Sequence, residues 1–283
     1  MIDNLYETHD IHFWRDYFPE EHHYVVYDPH IIYSTFKIED VYHSIANART
    51  NLSFYQVDNY GEMISQHDET HLTFVRSRFL ANSLAYYNYA IDLSWQVLWF
   101  YWGDSSYLFM EDNDLYEKYA GLCSIKSLNE LLRRYADDSI REYINSFFQN
   151  DLTQEIRRSY NYIKHRGIMH TPELDVQYTN SLIAIRTDLS QDEEYSFSLL
   201  TKRTFELQEW SLKLIEFDKI FHSYFREIIQ HVTPENFSEC KPDFREVGEY
   251  MNKRKQFLDD ELQHYMAKYT QAFHFFVFNE LET

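Results

Sequence analysis

Apolar positions recur along most of this chain at steps of three and four residues, the period of an α-helix that buries one face. The clearest run is Trp210, Leu214, Phe217, Phe221, Tyr224 and Ile228, an unbroken seam within a helix over about 205–232 that Pro234 closes. Ile38, Val41, Ile45 and Leu52 predict an earlier helix over about 36–56, with Glu39 and Asp40 in its opening turn, where the helix dipole favours acid. A long helix is predicted over about 70–102. Its second half, Leu84 to Trp102, is apolar nearly all round, as a central core helix is.

Gly103 to Ser106 breaks the pattern. Leu128, Leu131, Leu132 and Tyr135 then mark one short helix, and Ile140, Tyr143, Ile144, Phe147 and Phe148 mark another. Asp151 with Gln154 three residues later reads as the N-cap of a helix ending near Gly167 and Pro172. Leu174 to Leu200 alternates weakly (Leu182, Ala184, Arg186; Tyr195, Phe197, Leu199), a pattern that allows a small β-ribbon near 180–200. Asp243 with Glu246 caps a last long helix running toward Phe273. Residues 1–33 show no clear period, and Pro19 and Pro29 punctuate them, so irregular or short-stranded structure is expected there. The expected fold is all-α. It comprises an N-terminal elaboration (1–65), a helical bundle (66–235) and a C-terminal long helix packing on the bundle (236–283).

Composition narrows the class further. The 283 residues include only 5 Gly and 5 Pro, too few for a turn-rich all-β chain or a glycine-rich phosphate loop, while 25 Tyr, 22 Phe and 5 Trp supply ample core. No Gly-x-Ser-x-Gly elbow occurs. Cys123 and Cys240 lie in no metal or redox spacing and read as reduced thiols. The first residues carry no basic region followed by an apolar run. The most apolar helix holds Asp92 at its middle, so neither a secretory signal nor a membrane partner is expected, and the expected location is cytoplasmic.

Metal-like pairs exist but fit poorly. His67 and His71 are four residues apart, yet the residue after His67 is Asp68, and Glu69 comes one place too late for a zinc-hydrolase base. Glu20 with His23 and Glu261 with His264 have the carboxylate–histidine spacing of di-metal bundles, but lie in a Pro-flanked segment and a charged run. No metal or cofactor is expected.

Charge singles out one segment. The chain has 26 basic and 46 acidic residues, a formal net charge of −20, which repels nucleic acid at long range. Residues 126–170 instead hold eight basic and six acidic residues, and Arg157 to Arg166 carries +4 with no acid. At 100° per residue, Leu152, Ile156, Tyr160 and Ile163 form one apolar stripe, and Arg158, Asn161 and His165 fall within about 60° of one another on the opposite side. A guanidinium can clamp a phosphate through two hydrogen bonds, and an imidazole can move a proton near neutral pH. Together they are the minimum for cleaving RNA without metal. The plainer reading of the same residues is a solvated basic face on an acidic protein.

The segment resembles the signature of the HEPN superfamily, small helical bundles common in prokaryotic toxin and defence systems. Its motif is an Arg, four to six residues, then His, often with Asn just after the Arg. Arg158-x6-His165 meets the upper limit of that spacing, and Asn161-x3-His165 matches half of the commoner form. The run Tyr160 to Gly167, ending Lys-His-Arg-Gly, is similar to uncharacterised bacterial members. It departs from the commoner form at Tyr160, where Arg would directly precede Asn, so Arg158 supplies the guanidinium. The resemblance covers about 66–235. It implies a metal-independent endoribonuclease with His165 as general acid/base, Arg158 as phosphate clamp and Asn161 as orienting amide. Arg157, Lys164 and Arg166 would be secondary RNA or phosphate contacts. It further implies a homodimer whose motif helices meet across a groove. The alternative is a non-catalytic HEPN-like interaction or nucleotide-binding module, since many members have lost activity.

Overall fold

A computed structural model describes residues 3–66, 68–103, 106–174, 182–186, 194–198 and 202–260. The described residues are mostly helical. The helices are α1 (Asp3–Thr8), α2 (Pro29–Tyr55), α3 (Glu69–Trp102), α4 (Leu108–Glu111), α5 (Asn113–Gly121), α6 (Ile125–Tyr135), α7 (Asp138–Gln149), α8 (Asp151–Arg166), α9 (Leu207–Val232) and α10 (Phe244–Asp260). Between α8 and α9, β1 (Leu182–Arg186) pairs antiparallel with β2 (Glu194–Ser198), Leu182 opposite Ser198 and Arg186 opposite Glu194. No helix among the described residues is long and apolar enough to cross a membrane.

Several local expectations are corrected. Among the described residues the N-terminal region holds no strand: after α1 it forms two 3-10 turns, His12–Tyr17 and Glu21–Val25, joined by short irregular stretches. Helix α2 starts seven residues before the expected boundary, at Pro29, whose fixed φ and missing N–H suit a first helical position. Its first turns hide their periodicity because two of the buried positions there are small hydroxyl residues beside Ile32 and Tyr33. Ser34 and Thr35 are buried and donate back to the carbonyls of His30 and Ile31 at 2.7 and 2.9 Å. Glu39 and Asp40 therefore lie inside the helix, not in its opening turn. Tyr135, expected on an apolar face, ends α6 with 63% of its surface exposed, while Leu128 and Leu132 carry that helix's packing. The last helix is described to Asp260; its expected run to Phe273 lies outside the described residues.

The contacts divide the chain into two units. The first is built from residues 1–10, 44–89 and 147–222. Here α2 and α3 meet through small side chains: Ser83 Oγ donates to the Ala48 carbonyl (2.9 Å) and Ser44 Oγ to the Tyr86 carbonyl (2.7 Å). Leu52, Leu80, Leu84, Ile156, Leu214 and Phe217 fill its core. Inside that core Arg49 and Asp218 form a two-bond ion pair (2.7 and 2.9 Å), with Tyr87 donating to the same carboxylate at 2.7 Å.

The second unit comprises residues 11–43, 90–146 and 223–283. Its core is an aromatic cluster of Tyr33, Phe100, Phe109, Tyr116 and Tyr119, in which Phe100 and Tyr116 stack at 5.0 Å. Tyr33 keeps its hydroxyl satisfied on the Ser106 carbonyl at 2.7 Å. Gly103 ends α3 where a side chain has no room, since a Cβ there would meet the Tyr119 hydroxyl and the Trp99 carbonyl. Asp243 caps α10 as the sequence predicts, accepting from the Arg245 and Glu246 amides while the Glu246 carboxylate accepts from the Asp243 amide.

Candidate functional site

The candidate site lies on α8, wholly within the first unit. The helix begins one residue earlier than expected. Asn150, not Asp151, is the N-cap, its side chain accepting from the amides of Leu152 (3.0 Å) and Thr153 (3.2 Å). Asp151 sits in the first turn, where its charge suits the dipole. Gln154 does not close a capping box but donates to the Phe148 carbonyl.

The core-facing side of α8 is the expected one, with a different composition. Thr153, Ile156 and Ser159 are fully buried, whereas Leu152, Tyr160 and Ile163 are half-buried. Two hydroxyls thus occupy positions that a hydrophobicity pattern assigns to apolar residues. Tyr160 faces α3. Its ring packs edge-on against Tyr89 at 5.5 Å, and the two hydroxyls are 3.2 Å apart.

The opposite side presents Arg158, Asn161 and His165 to solvent together, as helix geometry requires. Lys164 and Arg166 are also exposed, and Arg157 is half-buried. Arg158 is steadied by one bond from Nε to the Gln154 carbonyl (3.2 Å), which leaves both Nη groups directed elsewhere. His165 comes seven positions after Arg158, about 10 Å along the axis, and Asn161 lies one turn from His165. One extended phosphodiester segment can span that distance. The final turn carries Lys164, His165 and Arg166, an arrangement that the negative end of the helix dipole also stabilises. Glu155, three residues before Arg158, pairs with Lys213 at 2.7 Å, and Lys213 also holds Glu209; Asp151, two turns before Arg158, is exposed on the same side.

The histidine–carboxylate pairs do other work. Asp68 caps α3, taking the His71 amide at 3.0 Å and the His71 ring Nδ1 at 2.7 Å, contacts that hold its carboxyl below the ordinary range; His67 lies outside the described residues. Both ring nitrogens of His23 are used: Nδ1 accepts from the Glu20 amide (2.9 Å), so Nε2 carries the proton donated to the Phe237 carbonyl (2.9 Å). That leaves His23 no lone pair for a metal. Glu261 and His264 fall outside the described residues. Among the described residues no group of three or more His, Cys, Asp or Glu side chains could hold a metal ion.

Cys123 and Cys240 do not pair, and burial pushes the Cys123 thiol up to about 12, far from a reactive thiolate.

One basic residue of this region was not legible in the sequence. Arg203, beyond the β-ribbon, donates Nη2 to Ser159 Oγ at 2.8 Å. No family model, curated protein or solved structure matches the chain.

Proposed function

We propose that this protein is a HEPN-like, metal-independent endoribonuclease acting through the exposed face of α8. The observation that carries the reading is the joint exposure of Arg158, Asn161 and His165 on one face of a helix whose last ten residues hold no acid. His165 would take the proton of a ribose 2′-hydroxyl or return one to the departing 5′-oxygen. Attack of the 2′-oxygen on its own phosphorus breaks the bond to the 5′-oxygen, leaving a 2′,3′-cyclic phosphate and a 5′-hydroxyl. Arg158 would hold the phosphate and stabilise charge on its equatorial oxygens, with Asn161 orienting the imidazole or the ribose. Arg157, Lys164 and Arg166 would position the flanking backbone. A second copy placing its own α8 opposite would turn an exposed face into a groove.

One observation favours the non-catalytic alternative. Tyr160, tied to Tyr89, takes the place of the guanidinium that commonly precedes Asn161, and Arg158 stands two turns from His165. On that reading the same face binds RNA or a nucleotide without cleaving it.

Incubating the protein with single-stranded RNA in EDTA, beside Arg158→Ala and His165→Ala, tests the proposal. Cleavage that survives EDTA and is lost by at least about a hundredfold in each variant is the expected result. RNA bound but uncut by wild type and both variants transfers the assignment to the binding module.

A further inference from the structure

Arg203 is far along the chain from Arg158, and its return to α8 is built by backbone. The Phe205 amide donates to the His170 carbonyl at 2.8 Å, and His170 and Thr204 form a parallel bridge. Residues 202–205 therefore run beside the segment that leaves α8. The Arg203 guanidinium then lies 5.4 Å from the Tyr162 ring centroid and 4.9 Å from that of Phe205, with Nη2 on Ser159 Oγ.

Helix geometry locates this contact relative to the candidate stripe. Taking Arg158 as zero and about 100° per residue, His165 falls near −20°, Tyr162 near +40°, Arg166 near +80° and Ser159 near +100°. The two α8 residues that hold Arg203 thus bracket the flank bearing Arg166, directly beside the Arg158–His165 stripe. Arg203 is exposed, and among the described residues it has no carboxylate partner and no second hydrogen bond. Its Nε and Nη1 hydrogens are therefore available to an acceptor. Two aromatic faces and one hydroxyl fix the guanidinium before any ligand arrives, which lowers the ordering cost of binding.

We propose that Arg203 is a phosphate-binding residue of the α8 face, a preorganised guanidinium that grips an RNA phosphate next to the one held by Arg158. The inference rests on the RNA-binding reading of that face and holds for either a cleaving or a merely binding site. Arg166 and Arg203 would form one wall of the strand's path. Lys164 and Arg157, on the opposite flank near −120° and −100°, would form the other.

The test measures binding of a fluorescent single-stranded oligouridylate to the full chain in EDTA, at salt from about 0.05 to about 0.2 M. Arg203→Gln should weaken binding about tenfold and lower the slope of log K against log salt by about 0.7, the loss of one single-strand phosphate contact. Arg203→Lys should keep the slope while losing about threefold, because an ammonium retains the charge but not the stacked fork. Ser159→Ala, which frees the guanidinium without removing charge, should also keep the slope. Wild-type affinity and slope in Arg203→Gln, alongside weakened Arg158→Gln, would overturn the Arg203 assignment and leave the face intact. A slope unchanged in Arg203→Gln while its melting temperature drops would overturn it in favour of bracing α8. Wild type that binds no oligonucleotide at the lowest salt would overturn both.

Discussion

Arg49 and Asp218 have no exposed side-chain surface, and each depends on the other for its charge. Asp218 accepts two bonds from Arg49 and one from Tyr87, and Arg49 also donates to the His9 carbonyl at 2.7 Å, with its Nη1 left unbonded. Removing one partner leaves an uncompensated buried charge, so Asp218→Asn should cost about 3–5 kcal/mol in urea unfolding. Replacing both Arg49 and Asp218 with leucine should cost clearly less than the two single losses combined. Histidines give a second prediction at this scale. Burial chiefly lowers the pKa of His23, His30, His222 and His231 below the ordinary 6.5. Their folded neutral forms contribute stability that is complete above about 6.5 and is lost as pH falls toward the lowered values. His222 faces His9, Arg49 and Asp218 and bonds the Asp10 carbonyl at 2.9 Å. The melting-temperature gap between wild type and His222→Gln should therefore narrow from about pH 7 to about pH 5. A gap that widens on acidification would refute this.

The helices differ in how plainly their sequences announce them, and the difference is chemical. In α9 all six seam residues, Trp210 through Ile228, are buried, so every step of the period is an apolar side chain. In α2 and α8 the buried face includes Ser34, Thr35, Thr153 and Ser159, and a polarity pattern counts these as exposed. The hydroxyls of Ser34, Thr35 and Ser159 find local or tertiary partners that only three-dimensional placement reveals, as Ser159 does in Arg203, while the Thr153 hydroxyl is buried without one among the described residues. The exposed side of α8 was readable because three residues on one helix need only the helical repeat to bring them together. Arg203 was not, because its place depends on the pairing of Thr204 with His170. The end of α3 shows a tertiary demand on a single glycine. Gly103→Ala should cost about 1–3 kcal/mol, read from the urea midpoint, because the atoms a Cβ meets include backbone that cannot turn away.

Across the whole molecule, a net charge of −20 coexists with a helix whose last ten residues carry +4. Long-range attraction to RNA is therefore weak, and on the proposed reading binding would come from short-range phosphate contacts on α8 and its neighbour segment. Affinity for single-stranded RNA should fall steeply with salt, while the remaining surface should repel duplexes that cannot fit one helix face. On the proposed reading this face performs chemistry through His165 and Arg158. The most direct measurement is mass spectrometry of the ends formed when a defined RNA is incubated with the protein in EDTA. The expected ends are a 2′,3′-cyclic phosphate and a 5′-hydroxyl, absent with His165→Ala and Arg158→Ala; ends of any other kind, or the same ends produced undiminished by either variant, would contradict the assignment.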